Sequence, residues 1–256
     1  MSVEEYELLP FEPGWKCEYH EGQAYFTPRD HPVITSLQVA PRPVNAPCLL
    51  RAVRATEAGQ LIEAYLAAFG ATIEYCDYSN AKLEQAAQRA LADHFSGERG
   101  NPLSASRVAV APGAAATLLG AALLIAGRDS ARLDLLFVHP AWQGRGLATA
   151  LVADAVNHLH LYGEARLLSR YHIGNDASRR WHQRFGFVEE PDLQRARLYR
   201  TAVRQELWRR ERLGELPPEE RRRLQIELAA WQAQVDELER RAEEQGYEAV
   251  CALYRW

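Results

Sequence analysis

The stretch LLFVHPAWQGRGLATALV, residues 135–152, decides how the rest of the chain is read. An apolar, strand-like run ends at Val138, His139-Pro140 interrupts it, and Gln143-Gly144-Arg145-Gly146-Leu147-Ala148 opens a helical pattern. Glycine costs backbone entropy, so two glycines at a helix entrance weaken it unless something approaches the main chain closely there. A helix start carries N–H groups that find no partner inside the helix, which makes it a natural anion site with phosphate as its usual guest. Glycine at 144 and 146 removes side chains that would hold a diphosphate away, and Arg145 offers a charge-assisted contact. The plainer alternative is a glycine turn that serves only tight helix–sheet packing.

Two familiar phosphate motifs do not fit. No Gly-Lys-Ser/Thr follows, so the turn is not a P-loop. Thr149 stands where the dinucleotide fingerprint has its third glycine, and the strands before the turn do not form a βαβ series.

Composition narrows the class. The 256 residues, 47% of them hydrophobic, suffice for one large domain with additions or for two small ones. A net charge of −4 argues against a general nucleic-acid binder, and Lys16 and Lys82 are the only lysines among the basic residues. Cys17, Cys48, Cys76 and Cys251 lie far apart with no CxxC or Cys/His cluster, so free thiols in a reducing compartment are expected, with no metal site. Residues 1–10 lack a charged-then-apolar leader pattern. Residues 108–127 carry no charge over a length that could span a bilayer, but Pro112-Gly113 and Gly120 favour two buried strands joined by a turn. The expectation is a soluble, cytoplasmic protein that engages neither membrane nor nucleic acid.

The pattern along the chain fits an α/β fold. Residues 15–20 and 23–27 flank Glu21-Gly22 as a hairpin, residues 32–39 could add a third strand, and residues 40–47 are proline-rich. Residues 1–46 therefore read as an appended β element. A strand at 49–54 and helices at 57–69 and 80–95 follow, then consecutive strands at 107–111, 117–127 and 132–138. After the glycine turn come a helix at 144–160, a strand at 165–170, a short helix at 175–185 and a strand at 186–190. Antiparallel strands followed by a strand–helix–strand unit give a mixed sheet flanked by helices. Past Pro191, Leu193, Ala196, Tyr199, Val203 and Leu207 form one helical stripe. Leu224, Leu228, Trp231, Val235, Leu238 and Ala242 form a second, spaced as a heptad seam, so an antiparallel helical pair is expected. Residues 249–256 read as a last strand.

These features together resemble the GNAT superfamily of N-acetyltransferases. Its signature, Gln/Arg-x-x-Gly-x-Gly/Ala, is met at every fixed position by Gln143–Ala148 after Phe137-Val138-His139-Pro140. The family's later asparagine and its Gly-Phe turn have counterparts in Asn175 and Gly186-Phe187, and the resemblance covers about residues 49–190. It implies a GNAT-like mixed, mostly antiparallel twisted sheet with one more strand after Gly-Phe, which residues 247–256 would supply. Residues 192–246 would then be a helical hairpin inserted before that last strand of the 47–191 core; a separate C-terminal domain is the alternative.

The resemblance also implies acetyl-CoA as co-substrate. Its diphosphate would rest on Gln143, Gly144, Arg145, Gly146, Leu147 and Ala148, and its pantetheine arm would pair with the backbone of Phe137 and Val138. Asn175 is the remaining cofactor-binding candidate. The family usually has a tyrosine four residues before the glycine of Gly-Phe as the acid that protonates the leaving thiolate; His182 stands there instead. His182 is thus either that acid or a histidine on the surface of a short helix. Asp134, flanked by leucines, is the candidate base for the amine proton, and the plainer reading pairs it with an arginine or turns it to solvent. Tyr75, Asp77 and Tyr78 could line an acceptor site or form a simple polar loop. The implied activity is acetyl transfer to a primary amine of a small molecule or peptide. The alternative is a non-catalytic acyl-CoA-binding module that assembles, as a homo-oligomer, through the helical hairpin.

Overall fold

The computed structural model describes residues 1–113 and 117–256. In chain order the elements are α1 (Val3–Glu7), β1 (Trp15–His20), β2 (Gln23–Pro28), β3 (Pro32–Gln38), β4 (Leu49–Ala52), α2 (Ala58–Phe69) and α3 (Asn80–Ser96). There follow β5 (Arg107–Val110), β6 (Leu118–Ala126), β7 (Ala131–Val138), α4 (Leu147–Leu161), β8 (Arg166–His172), α5 (Asp176–Phe185) and β9 (Val188–Glu189). Two long helices, α6 (Leu193–Leu213) and α7 (Pro218–Gln245), complete the set. The expected hairpin is β1–β2, whose register runs from Trp15↔Pro28 to His20↔Gln23. The uncharged segment forms β5 and β6, as expected; in the turn joining them, residues 114–116 lie outside the described residues.

The remaining strands form one sheet in the order β4-β5-β6-β7-β8-β3-β9. The pairs β4–β5, β5–β6 and β6–β7 are antiparallel, and β7–β8 is parallel. This is the mixed sheet flanked by helices that the sequence pattern implied, and mostly antiparallel as the family resemblance implied. All four residues of β5 and nearly all of β6 are buried, as strands covered by helices on both faces must be.

Two expectations need correction. Residues 32–39 do not extend the appended hairpin. As β3, Pro32–Gln38 enters the large sheet between β8 and β9, antiparallel to β8: Ile173 N donates to His31 O at 3.0 Å and Val39 N to Ala165 O at 3.0 Å. Val33, Ile34, Thr35 and Leu37 are all buried, and a strand buried on both faces needs neighbours that a two-stranded hairpin cannot give. Nor are residues 247–256 a strand. They form 3-10 turns over Tyr247–Val250 and Ala252–Arg255, and Ala252 N donates to an Asp192 carboxylate oxygen at 3.0 Å rather than to a ladder. The neighbour of β9 is β3, drawn from the N-terminal segment, so the helical pair follows the sheet's last strand and does not interrupt the sheet.

The chain divides into two compact units. The first comprises Met1–Ile34, Tyr171–Arg179 and Glu189–Trp256. Here α6 and α7 pack along the expected stripes: Leu193, Ala196, Val235, Leu238 and Val250 form one cluster, and Val203, Leu207 and Leu224 a second. Asp192 caps α6, accepting from Arg195 N at 2.8 Å, and lies 3.4 Å from His31. The second unit comprises Thr35–Arg170 and Arg180–Val188. There α2 and α3 cover one set of sheet residues, with Leu61, Tyr65, Leu91, Leu123 and Phe137 in its core. Leu147, Leu151, Val156, Leu133, Leu167 and Phe187 belong to the other core.

Candidate active site

In the second unit, β6 and β7 pair from Ala126↔Ala131 up to Gly120↔Val138 with one irregularity. Leu123 faces Leu135 while Leu124 faces Leu133, which leaves Asp134 as the extra residue of a β-bulge. Gly120 is required by close approach, since a Cβ there would stand 2.5 Å from the Phe137 carbonyl oxygen. On its other edge β7 pairs with β8 at Ala131↔Leu167 and Arg132↔Leu168, and the register stops there. From Leu133 to Val138 the two strands part. The fork leaves that edge of β7 without a strand beside it, and an extended guest carrying amide groups can pair where the strand is missing.

The fork leads to the glycine turn. His139 N donates to Leu119 O at 2.7 Å, and Gln143 Nε2 donates to the Val138 carbonyl at 3.0 Å, tying the turn to the strand end. Gly144 and Gly146 have φ of 72° and 80°, left-handed backbone that favours glycine, and a Cβ at either would meet no atom within 4 Å. Gly146 is the N-cap of α4 and supplies no side chain to cap the first-turn N–H groups. Gln143, Gly144, Arg145 and Gly146 are exposed, Leu147 is buried in the core, and Ala148 is half-buried. The Arg145 guanidinium stands 5.3 Å from the Trp142 ring centre. Open space beside left-handed glycines at an uncapped helix start is the geometry that a bound diphosphate needs. Packing alone does not explain these glycines, because their missing side chains would touch nothing.

The two candidate proton carriers are both buried. Asp134 is 7% exposed; its Oδ2 lies 2.9 Å from His94 Nδ1 and 3.1 Å from an Arg99 guanidinium nitrogen. The plainer expectation, a pairing with arginine, is thus observed, with a histidine added. His182 is 3% exposed and not a surface residue. Its Nε2 lies 2.8 Å from Ser169 Oγ, and its ring stands edge-on to Trp181 and Phe187 at 4.8 and 5.1 Å. Asn175 belongs to the first unit, where its side chain accepts from Ser178 N at 3.0 Å and caps α5.

His94, Arg99 and Ser169 escaped the sequence reading. His94 left a signal: it continues the buried face of α3 after Leu83, Ala87 and Leu91, a polar residue on an apolar stripe. Ser169 left little, since a serine in a strand is ordinary. Tyr75 and Tyr78 join an aromatic cluster with Tyr65, Phe69 and Phe137, and Asp77 is exposed. Burial pushes the Tyr65 phenol far up, the neighbouring Tyr75 adding to it, so Tyr65 stays protonated and cannot draw a proton from an amine. A cleft of about 380 Å³ runs between α2 and the strand ends, lined by Gln60, Glu63, Ala64, Leu118 and His139 among others. Among the described residues no cluster of three or more His, Cys, Asp or Glu side chains could hold a metal ion. No helix among them is long and apolar enough to cross a membrane.

Residues 104–189, which hold β5 to β9, the fork and the glycine turn, match the family model described as Acetyltransferase (GNAT) domain. They form a GNAT domain. Several solved structures are similar to the chain. The ribosomal-protein-S18-alanine N-acetyltransferase from Escherichia coli is 20% identical, with a TM-score of 0.43 over 56% of this chain and 78% of its own. The PaiA N-acetyltransferase from Thermoplasma acidophilum, solved in complex with coenzyme A, is 17% identical, with a TM-score of 0.45 over 56% and 90%. A GNAT family acetyltransferase from Brucella melitensis, solved with acetyl-CoA, is 22% identical, with a TM-score of 0.40 over 55% and 82%. No curated protein matches the chain.

Proposed function

We propose that this chain is a cytoplasmic N-acetyltransferase that moves an acetyl group from acetyl-CoA to a primary amine by direct attack on the thioester. One observation carries this reading: the fork between β7 and β8 opens onto an uncapped helix start with two left-handed glycines. The N–H groups at the start of α4 and the Arg145 guanidinium suit the diphosphate, and the unpaired edge of β7 at Phe137 and Val138 suits the amides of the pantetheine arm. When bound, the co-substrate supplies an activated acyl group on sulfur. An N–H of that edge can stabilise the oxyanion that forms as the amine attacks. Asp134 lies at the bulge where the fork begins and is the candidate to draw the amine proton, with His94 and Arg99 fixing its carboxylate. The direct test is calorimetry with CoA and acetyl-CoA, followed by thiol release in the presence of a panel of amines. Binding with turnover of at least one amine supports the reading, and no heat with either ligand sinks it.

The second reading is a non-catalytic acyl-CoA-binding module. It is favoured by one feature, the engagement of Asp134 by both His94 and Arg99, which gives that carboxylate a structural role of its own. Thermal stabilisation by acetyl-CoA with no thiol release from any amine would select it.

A further inference from the structure

We propose that the Ser169 hydroxyl delivers the proton that the departing thiol takes up, with His182 as the source behind it; this rests on the acyl-transfer reading above. Three observations converge on Ser169. It directly follows Leu168, the last residue of β8 to pair with β7, so it stands at the closed end of the fork. Its carbonyl accepts from Thr35 Oγ1 at 3.2 Å, which fixes the strand from the β3 side. Its Oγ lies 2.8 Å from His182 Nε2, and both side chains are buried, at 2% and 3% exposure.

The histidine is held where it is. Trp181 and Phe187 stand edge-on to the imidazole, and the His182 carbonyl accepts from Gly186 N at 3.1 Å and Phe187 N at 2.9 Å, closing α5. Its place in the last turn of α5 puts it at the end of the helix dipole that favours positive charge. An imidazole is shorter than a phenol, and the serine hydroxyl makes up the difference. A hydroxyl can accept one hydrogen bond and donate another. When His182 Nε2–H donates to Ser169 Oγ, the Oγ–H proton is left to turn toward the fork.

The step balances as follows. The amine nitrogen forms a bond to the thioester carbon, the C–S bond breaks, and its electron pair goes to sulfur. The sulfur takes the proton of Ser169 Oγ, Oγ takes the Nε2 proton of the His182 imidazolium, and a neutral imidazole remains. The proton that the amine loses passes to Asp134 and from there to solvent, and His182 regains one from solvent before the next turn. No acyl-serine forms.

The test compares the full-length wild type with S169A, S169T and H182Q, using acetyl-CoA and an amine on which the wild type turns over. We expect S169A and H182Q to bind acetyl-CoA as the wild type does while kcat falls about 100-fold. We expect kcat of the wild type to decline at alkaline pH as the imidazolium is lost, S169A to lack that decline, and S169T, which keeps a hydroxyl, to retain both rate and decline. Three results overturn the relay: S169A keeps the wild-type kcat; S169A loses rate and Tm together with the pH profile unchanged; or intact-mass analysis finds an acetyl group on Ser169. A wild type that binds acetyl-CoA yet releases no thiol with any amine overturns the acyl-transfer reading itself, and the relay with it.

Discussion

Asp134 Oδ2 accepts from His94 Nδ1 at 2.9 Å, and the same oxygen lies 3.1 Å from Arg99. A carboxylate only accepts, so the proton of this pair sits on Nδ1. His94 Nε2 has no hydrogen-bond partner among the described residues, and the ring is fully buried. Removing the acid therefore leaves an uncompensated donor and a cation at the bulge. D134A should cost about 3–5 kcal/mol of stability, the usual result of breaking a buried pair from one side. D134N, whose side-chain oxygen still accepts from His94, should cost less. Urea denaturation followed by circular dichroism measures both, and a D134A variant as stable as the wild type would remove the pairing as a structural feature.

Gly146 separates stability from binding. At a φ of 80°, an added Cβ strains the backbone by about 1–2 kcal/mol, although nothing lies within 4 Å of it. G146A should thus fold with a modest loss of stability. Its affinity for CoA should fall about tenfold or more, because the Cβ occupies the space in which a diphosphate would sit. Calorimetry reads the affinity and thermal melting reads the fold. Unchanged CoA affinity in a folded G146A would show that the turn is not the diphosphate site.

Much of this molecule was legible in its residue order, and the misses have physical causes. Local patterns carried the sheet from β4 to β9 and the glycine turn, because burial on two faces, helix periodicity and left-handed glycine all act over a few residues. The helices α6 and α7 were legible for the same reason. The place of β3 was not: Val33, Ile34 and Leu37 announce a buried strand, but which edges it fills is settled by pairing with residues more than a hundred positions away. Residues 249–256 show strand-like composition, yet Val250 is drawn into the α6–α7 core and Ala252 N to Asp192, so tertiary contacts override propensity. At the site, Asp134 stood out by its flanking leucines, and His182 only by its place four residues before Gly186 in the family resemblance. Their partners His94 and Ser169 are joined to them only by folding.

Asp192 gives the first unit an acid-sensitive joint. Burial opposes ionisation of its carboxyl. The His31 ring 3.4 Å away and the hydrogen bonds from the Arg195 and Ala252 N–H groups outweigh burial and hold it below the usual carboxylate range. A lowered native value means that the ionised form stabilises the fold above the unfolded carboxyl's range, and that this contribution is lost as pH falls through the native value. The wild type should therefore lose stability between about pH 4 and more acid conditions. D192N should be weaker at neutral pH by roughly 1.5–3 kcal/mol, as expected for hydrogen bonds to a charged group, and should lose less on acidification. Denaturant midpoints at several pH values test this; parallel acid losses in the two proteins would assign the sensitivity to another group.

Tyr199 and Trp231 stack between α6 and α7 with ring centres 4.9 Å apart and planes 11° apart. Trp231 packs against both apolar clusters of the helical pair, so it joins the part of the seam near Leu238 to the part near Leu224. W231A should cost about 3 kcal/mol, at the low end for removing a large aromatic because the ring is only half-buried. W231F should recover part of that loss by keeping an aromatic face. A double-mutant cycle with Y199A should return a coupling of about 0.5–1.5 kcal/mol beyond the area each ring buries. Helicity at 222 nm in urea reports all four proteins of the cycle. A coupling near zero would mean that the rings are neighbours without mutual attraction, leaving the hairpin to its leucines and valines.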